Sequence, residues 1–256
     1  MPGEANYWTK PSQNKLQSAM QSLARFHLAT SELTKGTETC PAIAERRQAI
    51  QELLNGGFVK LIETAKRMAD PVWQDLISRM ETQFAKRADE VLEKLNQAQS
   101  LSVKLVPAIR DIWHDHVLFG CRQHSTTNRT DDGGTDNEQV TGFIDFGAMR
   151  FDSRSVDVAR LAGSLTEGQF CESRPAAGST SRELLQSCSP AIEYYNSFYQ
   201  LEEHETRLLD VLRTSTDLLS PLNWLKWIYS EQREFAEPDQ IVVRVDRFLR
   251  RLESEG

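Results

Sequence analysis

The chain has 256 residues, 39% hydrophobic and 26% charged, which is ordinary for a soluble globular protein and long enough for one large domain or two small ones. A net charge of −7 argues against a nucleic-acid surface, which would be basic, and no apolar run approaches the ~20 residues needed to span a bilayer. Cys40, Cys121, Cys171 and Cys188 form no close pair and nothing near Met1 resembles a signal peptide, so free thiols and a cytoplasmic location are expected.

Residues 1–11 read as an extended lead-in with Trp8 and Pro11. Ser12 is a candidate N-cap, followed at helical spacing by Leu16, Met20, Leu23, Ala24 and His27. His27 is read as a half-buried polar residue on that helix. Gly36 and Pro41 interrupt the chain. A helix is expected over 42–54, stopped by Asn55-Gly56-Gly57, and another over 58–68. Gly56-Gly57-Phe58-Val59-Lys60 superficially resembles a phosphate loop. Its flanks are helical in pattern, however, and such a loop needs strands, so it reads as a break between helices.

Asp70-Pro71 reads as an N-cap and first helical residue. The series Val72, Leu76, Met80, Phe84, Ala88, Val91, Leu92, Leu95 then predicts one long amphipathic helix, with Lys86-Arg87-Ala88-Asp89-Glu90 on its solvated face. Residues 104–119 hold the first short strands, with Trp113 packed under the intervening loop. The tract 120–139 has no large apolar side chain and carries Asp131-Asp132-Gly133-Gly134, so it is expected to be a mobile hairpin tip. A helix is expected from Ser155, capped by Ser153 or Ser155, with Asp157 in its first turn as cap and hydrogen-bond acceptor. A loop over 169–179 precedes helices over 180–199, 202–217, 221–233 and 238–253. The aromatic stretch 221–229 reads as core, or else as a wall of a substrate cleft.

Two apolar runs, Val117-Leu118-Phe119 and Val140 to Ile144, each carry a carboxylate at one end, Asp111 and Asp145. An irregular hairpin of these strands would bring both acids to one edge, suited to a divalent cation and to a group that must be deprotonated.

The order Asp111, then Val117-Leu118-Phe119, then Asp145-Phe146-Gly147, then Asp157-Val158-Ala159-Arg160 resembles the aminoglycoside phosphotransferase and choline kinase family. The resemblance implies an α+β, mostly helical fold: the C-terminal lobe of a kinase-like protein spanning 1–256, with a small β-hairpin carrying the catalytic and metal loops. It implies ATP and Mg2+ as cofactors, with transfer of phosphate to a hydroxyl of a small molecule. Asp111 would take the hydroxyl proton, Arg110 would brace the loop, and Asp145 and His116, or Asp115, would hold metal.

Ile109-Arg110 stand where the family has His-Gly, and His116 stands where it has Asn. Imidazole is a poorer magnesium ligand than an amide oxygen. The resemblance also implies that the strand-rich nucleotide lobe is absent from this chain, by truncation or by true loss. That would weaken ATP binding and leave a lobe face open to self-association. A non-catalytic kinase-like remnant acting as a binding module is the alternative. A metal-dependent hydrolase built on His114 and His116 ranks third, because His124 and His204 lie in a tip and a helix rather than beside them.

Overall fold

The computed structural model describes residues 3–120, 138–166 and 190–254, and it is α+β and mostly helical. The expected hairpin tip is described only at its ends, since residues 121–137 lie outside the described residues. The loop over 169–179 and Cys121, Cys171, Cys188 and His124 lie outside them as well. Among the described residues, no helix is long and apolar enough to cross a membrane. The described residues pack as two compact units, one drawn from Met1–Glu38, Lys104–Arg174 and Leu185–Leu209, the other from Thr39–Val103 and Asp210–Gly256.

The first unit begins with helix α1 (Gln13–Ala29). Ser12 caps it, its hydroxyl accepting the Lys15 N–H, as the sequence predicts. Strands β1 (Gly36–Thr39), β2 (Ser102–Ala108) and β5 (Arg150–Asp152) form a three-stranded sheet in the order β1-β2-β5. Strands β3 (Val117–Gly120) and β4 (Gln139–Phe143) form the expected hairpin. Helix α5 (Ser155–Thr166) follows, with the Ser153 hydroxyl accepting the Ser155 N–H. Leu16, Met20 and Leu23 of α1 and Val158, Leu161 and Leu165 of α5 belong to one apolar core, closed by Ile109, Ile112, Val117 and Phe119. Burying each such aliphatic side chain contributes about 1.5–3 kcal/mol.

The pairing of β3 with β4 is irregular. Val117 faces Phe143 and Leu118 faces Gly142, but Phe119 faces Val140, so Thr141 is an extra residue on β4. Its hydroxyl donates to the Leu118 carbonyl at 3.1 Å. Val140 and Phe143 both pack against the core, although a separation of three would put them on opposite faces of a regular strand.

The second unit contains α2 (Pro41–Glu52), a kinked turn (Leu53–Gly57), α3 (Phe58–Met68), α4 (Pro71–Ala98), the later part of α6 (Glu203–Leu225) with a π-helical turn (Lys226–Ser230), and α7 (Pro238–Ser254). The turn at Leu53–Gly57 is the helix-to-helix break read from its sequence: Asn55 leaves helical geometry and Gly56 takes φ +97°, open to glycine at little cost. Asp70 caps α4 by accepting the Trp73 N–H at 3.0 Å, with Pro71 at the first helical position.

Two expectations fail here. In the charge run of α4, Lys86, Asp89 and Glu90 are exposed, but Arg87 is buried and its guanidinium donates to the Leu252 carbonyl at 2.7 Å. Leu252 lies in the last turn of its helix, where a cation is favoured. Pro221 does not separate two helices but lies inside α6. A proline in mid-helix costs about 3 kcal/mol. Leu218, Leu222 and Leu225 on the same helix are all buried, and at about 1.5–3 kcal/mol each they outweigh that cost. The aromatic stretch is core at Tyr229, which meets Trp73 edge-on with ring centroids 5.8 Å apart, while Trp224, Trp227 and Phe235 form a half-buried edge-on cluster.

Candidate functional site

The first unit brings Asp111, His116 and Asp145 together at the open end of the β3–β4 hairpin. Strand β2 ends at Ala108, and the next two backbone N–H groups, of Ile109 and Arg110, donate to the Asp157 carboxylate at 2.7 and 2.6 Å. Asp157 also accepts from His27 Nε2 at 3.0 Å. The carboxylate is fully buried, so these three donors replace the water it has lost. This is the acceptor role expected of Asp157, and the groups it holds are the backbone of the loop that carries Asp111.

His27 departs from expectation. It is fully buried rather than half-buried, because both ring nitrogens are satisfied: Nε2 by Asp157 and Nδ1 by the Tyr195 hydroxyl at 2.8 Å. Burial pushes the Tyr195 phenol well above its ordinary range, so it stays protonated and donates to Nδ1. The relay Tyr195–His27–Asp157 spans three separate segments, and no local sequence signal announces it.

Arg110 adopts φ +67°, a left-handed conformation that side chains other than glycine and asparagine seldom take. Two contacts hold it there: its N–H on Asp157, and its Nε 3.2 Å from Oδ2 of the fully buried Asp152 on β5. Asp152 is a bracing residue that the sequence reading did not single out. Its position is set by the pairing of β5 with β2, where Asp152 faces Val106.

Asp111 is half exposed and is ion-paired with Arg160 of α5, whose guanidinium also lies 5.9 Å from the Trp113 ring centroid. The chain then makes a 3-10 turn, His114–His116. A strand here would have put both imidazoles on one face, but in a 3-10 turn residues two apart diverge. His114 is buried, edge-on to Trp8 at 5.9 Å and 4.7 Å from Trp113, with Nε2 3.2 Å from Asp115. The His114–His116 pair imagined for a hydrolase therefore does not form, and Asp115 is engaged with His114.

His116 turns the other way. Its Nδ1 lies 2.9 Å from the Asp111 carbonyl, and its Nε2 lies 3.6 Å from Asp145 Oδ2. A carbonyl can only accept, so Nδ1 carries the proton. The His116 carbonyl in turn accepts the Ile144 N–H at 3.0 Å, which ties the end of β4 to the turn. Asp145 follows with φ +62° and a half-exposed carboxylate, and a turn closes when the Met149 N–H meets the Phe146 carbonyl at 3.0 Å. Among the described residues, no group of three His, Cys, Asp or Glu side chains is arranged to hold a metal ion.

The arrangement thus offers an accessible carboxylate steadied by a cation, and a second carboxylate beside an oriented imidazole. No family model matches the chain, and no curated protein matches it.

Proposed function

We propose that the chain belongs to the kinase-like phosphotransferases and that its site serves transfer of an ATP phosphoryl group to a hydroxyl of a small molecule. The observation that carries this reading is the placement of Asp111 and Asp145 at one end of the β3–β4 hairpin, linked through His116. Phosphoryl transfer asks a protein chiefly for positioning and charge neutralisation. Asp111 orients the acceptor hydroxyl and takes its proton. Arg160 holds the Asp111 side chain, while Arg110 and Asp157 hold its backbone. Asp145 and His116 are the residues here that would hold a divalent cation, which supplies neutralisation of phosphate charge.

The test is Mg2+-dependent consumption of ATP by the chain with a panel of amino alcohols, aminoglycosides and sugars. Turnover should appear with one class of acceptor and should fall by at least about 100-fold in Asp111→Ala, the scale of a lost general base. Undiminished turnover in that variant refutes the assignment of Asp111.

A second reading, a non-catalytic kinase-like binding module, rests on a different observation. Ile144, Phe146, Met149 and Phe151 flank Asp145 and are 41–47% exposed, an apolar set that favours association. This reading predicts no turnover with any acceptor, and concentration-dependent association that Phe146→Ser weakens, checked by sedimentation velocity.

A further inference from the structure

We propose that His116 and Asp145 prefer a zinc-class transition ion over magnesium. The inference rests on the reading of Asp145 as the metal-holding carboxylate, but not on phosphoryl transfer. Three observations carry it.

The first is ring orientation. Histidines that ligate metals nearly always donate their other ring N–H to a carboxylate, a backbone carbonyl or water, which fixes the tautomer and raises ligand basicity. His116 does this: Nδ1 donates to the Asp111 carbonyl at 2.9 Å, so in the neutral ring the lone pair lies on Nε2.

The second is spacing. Nε2 faces Asp145 Oδ2 at 3.6 Å. Two ligands each about 2.1 Å from one ion, at a tetrahedral angle, lie about 3.4 Å apart. The pair can therefore share an ion with little movement, leaving other positions open to water or substrate. A lone pair facing a carboxylate at this distance is repulsive unless a proton or a metal ion stands between them.

The third is chemistry. Magnesium demands oxygen ligands in octahedral geometry and sheds water reluctantly, whereas imidazole suits zinc and its neighbours. A nitrogen–oxygen pair at tetrahedral spacing is the wrong donor set for the first ion and a suitable one for the second. Asp111 meets His116 through its backbone carbonyl, and its Oδ1 is paired with Arg160.

Co2+, which reports a tetrahedral nitrogen–oxygen set through its visible absorption bands, serves as the probe. The chain is titrated with Co2+, and Zn2+ and Mg2+ are then added separately as competitors. Wild type should develop the absorption, lose it to Zn2+, and keep it against a tenfold excess of Mg2+. His116→Asn should weaken Co2+ binding by about 10–100-fold, at least the loss expected when a supporting residue of a metal ligand is removed. Its Mg2+ affinity should hold or improve. Asp145→Ala should abolish specific binding, with circular dichroism confirming that each variant folds.

Equal displacement by Mg2+ and Zn2+ in wild type, or unchanged Co2+ binding in His116→Asn, would overturn the preference while leaving Asp145 as a metal ligand. Binding unaffected by Asp145→Ala, or no binding of any of the three ions, would overturn both. The competition in wild type needs no variant, so the outcome does not depend on whether the substitutions are tolerated.

Discussion

Asp157→Ala removes one acceptor from three buried donors: the Ile109 N–H at 2.7 Å, the Arg110 N–H at 2.6 Å and His27 Nε2 at 3.0 Å. Each buried donor left unpaired costs about 1–3 kcal/mol. All three share one carboxylate and relax together, so the low end applies to each, and the total is about 3 kcal/mol. A chain of this size loses about 2–4 °C of Tm per kcal/mol, so the melting transition should drop by about 6–12 °C. The assay is calorimetry on wild type, Asp157→Ala, His27→Phe and the double variant. Because His27 and Asp157 are direct partners, the double variant should be more stable than the sum of the singles by about 1 kcal/mol. A drop below about 2 °C, or strict additivity, refutes the claim that this carboxylate holds the 109–111 loop.

Three further expectations follow from other contacts. Tyr195→Phe leaves the buried His27 Nδ1 without its donor and should cost about 1 kcal/mol, read from urea unfolding. The buried Tyr7 hydroxyl has no partner among the described residues, and burial pushes its pKa up to about 12. Folding thus favours the neutral phenol: its contribution is whole below about pH 10, the ordinary tyrosine value, and is lost as the pH climbs toward 12. Tyr7→Phe should therefore gain about 1 kcal/mol at neutral pH and lose less Tm than wild type between about pH 9 and 11. Parallel Tm curves would contradict this. Arg251→Ala strips the buried Asp217 of two bonds, at 3.0 and 2.7 Å, and should cost about 3 kcal/mol. Arg79→Ala, whose partners Asp246 and Glu253 are solvent-accessible, should cost under about 1 kcal/mol, and the reverse order in thermal melts would be decisive against this account.

Features governed by neighbours in sequence were legible in advance. Ser12, Asp70-Pro71 and Asn55-Gly56 mark helix starts and a break through local chemistry, and the structure places them accordingly. The hairpin, with Asp111 and Asp145 at its open end, followed from two apolar runs with carboxylates at their ends. What escaped depends on partners far along the chain. Strand β1 reads Gly-Thr-Glu-Thr, four residues with no apolar pattern, and exists because β2 pairs with it. His27 looked amphipathic because a single helix cannot reveal that Asp157 and Tyr195 will enclose it. Arg87 sits in a run of charges and differs from its neighbours only in the carbonyl it meets. His114 and His116 share a spacing that suits a strand, and backbone geometry alone sends them apart.

The extra residue in β4 has a consequence for how the chain tolerates insertion and deletion. Thr141 acts as a half-period phase shift: upstream of it inward positions have one parity, downstream the other, and Asp145 inherits the downstream parity. Losing Thr141 would cancel the shift: Val140 and Phe143 would stand two apart and share the inward face by regular alternation, with Val117 still opposite Phe143. Losing two adjacent residues, Thr141 and Gly142, would make Val140 and Phe143 neighbours and send one of the two outward. Hence the smaller deletion should be the milder one, and a gap of one residue placed here in a sequence comparison is compatible with chains that present the same acid in the same place.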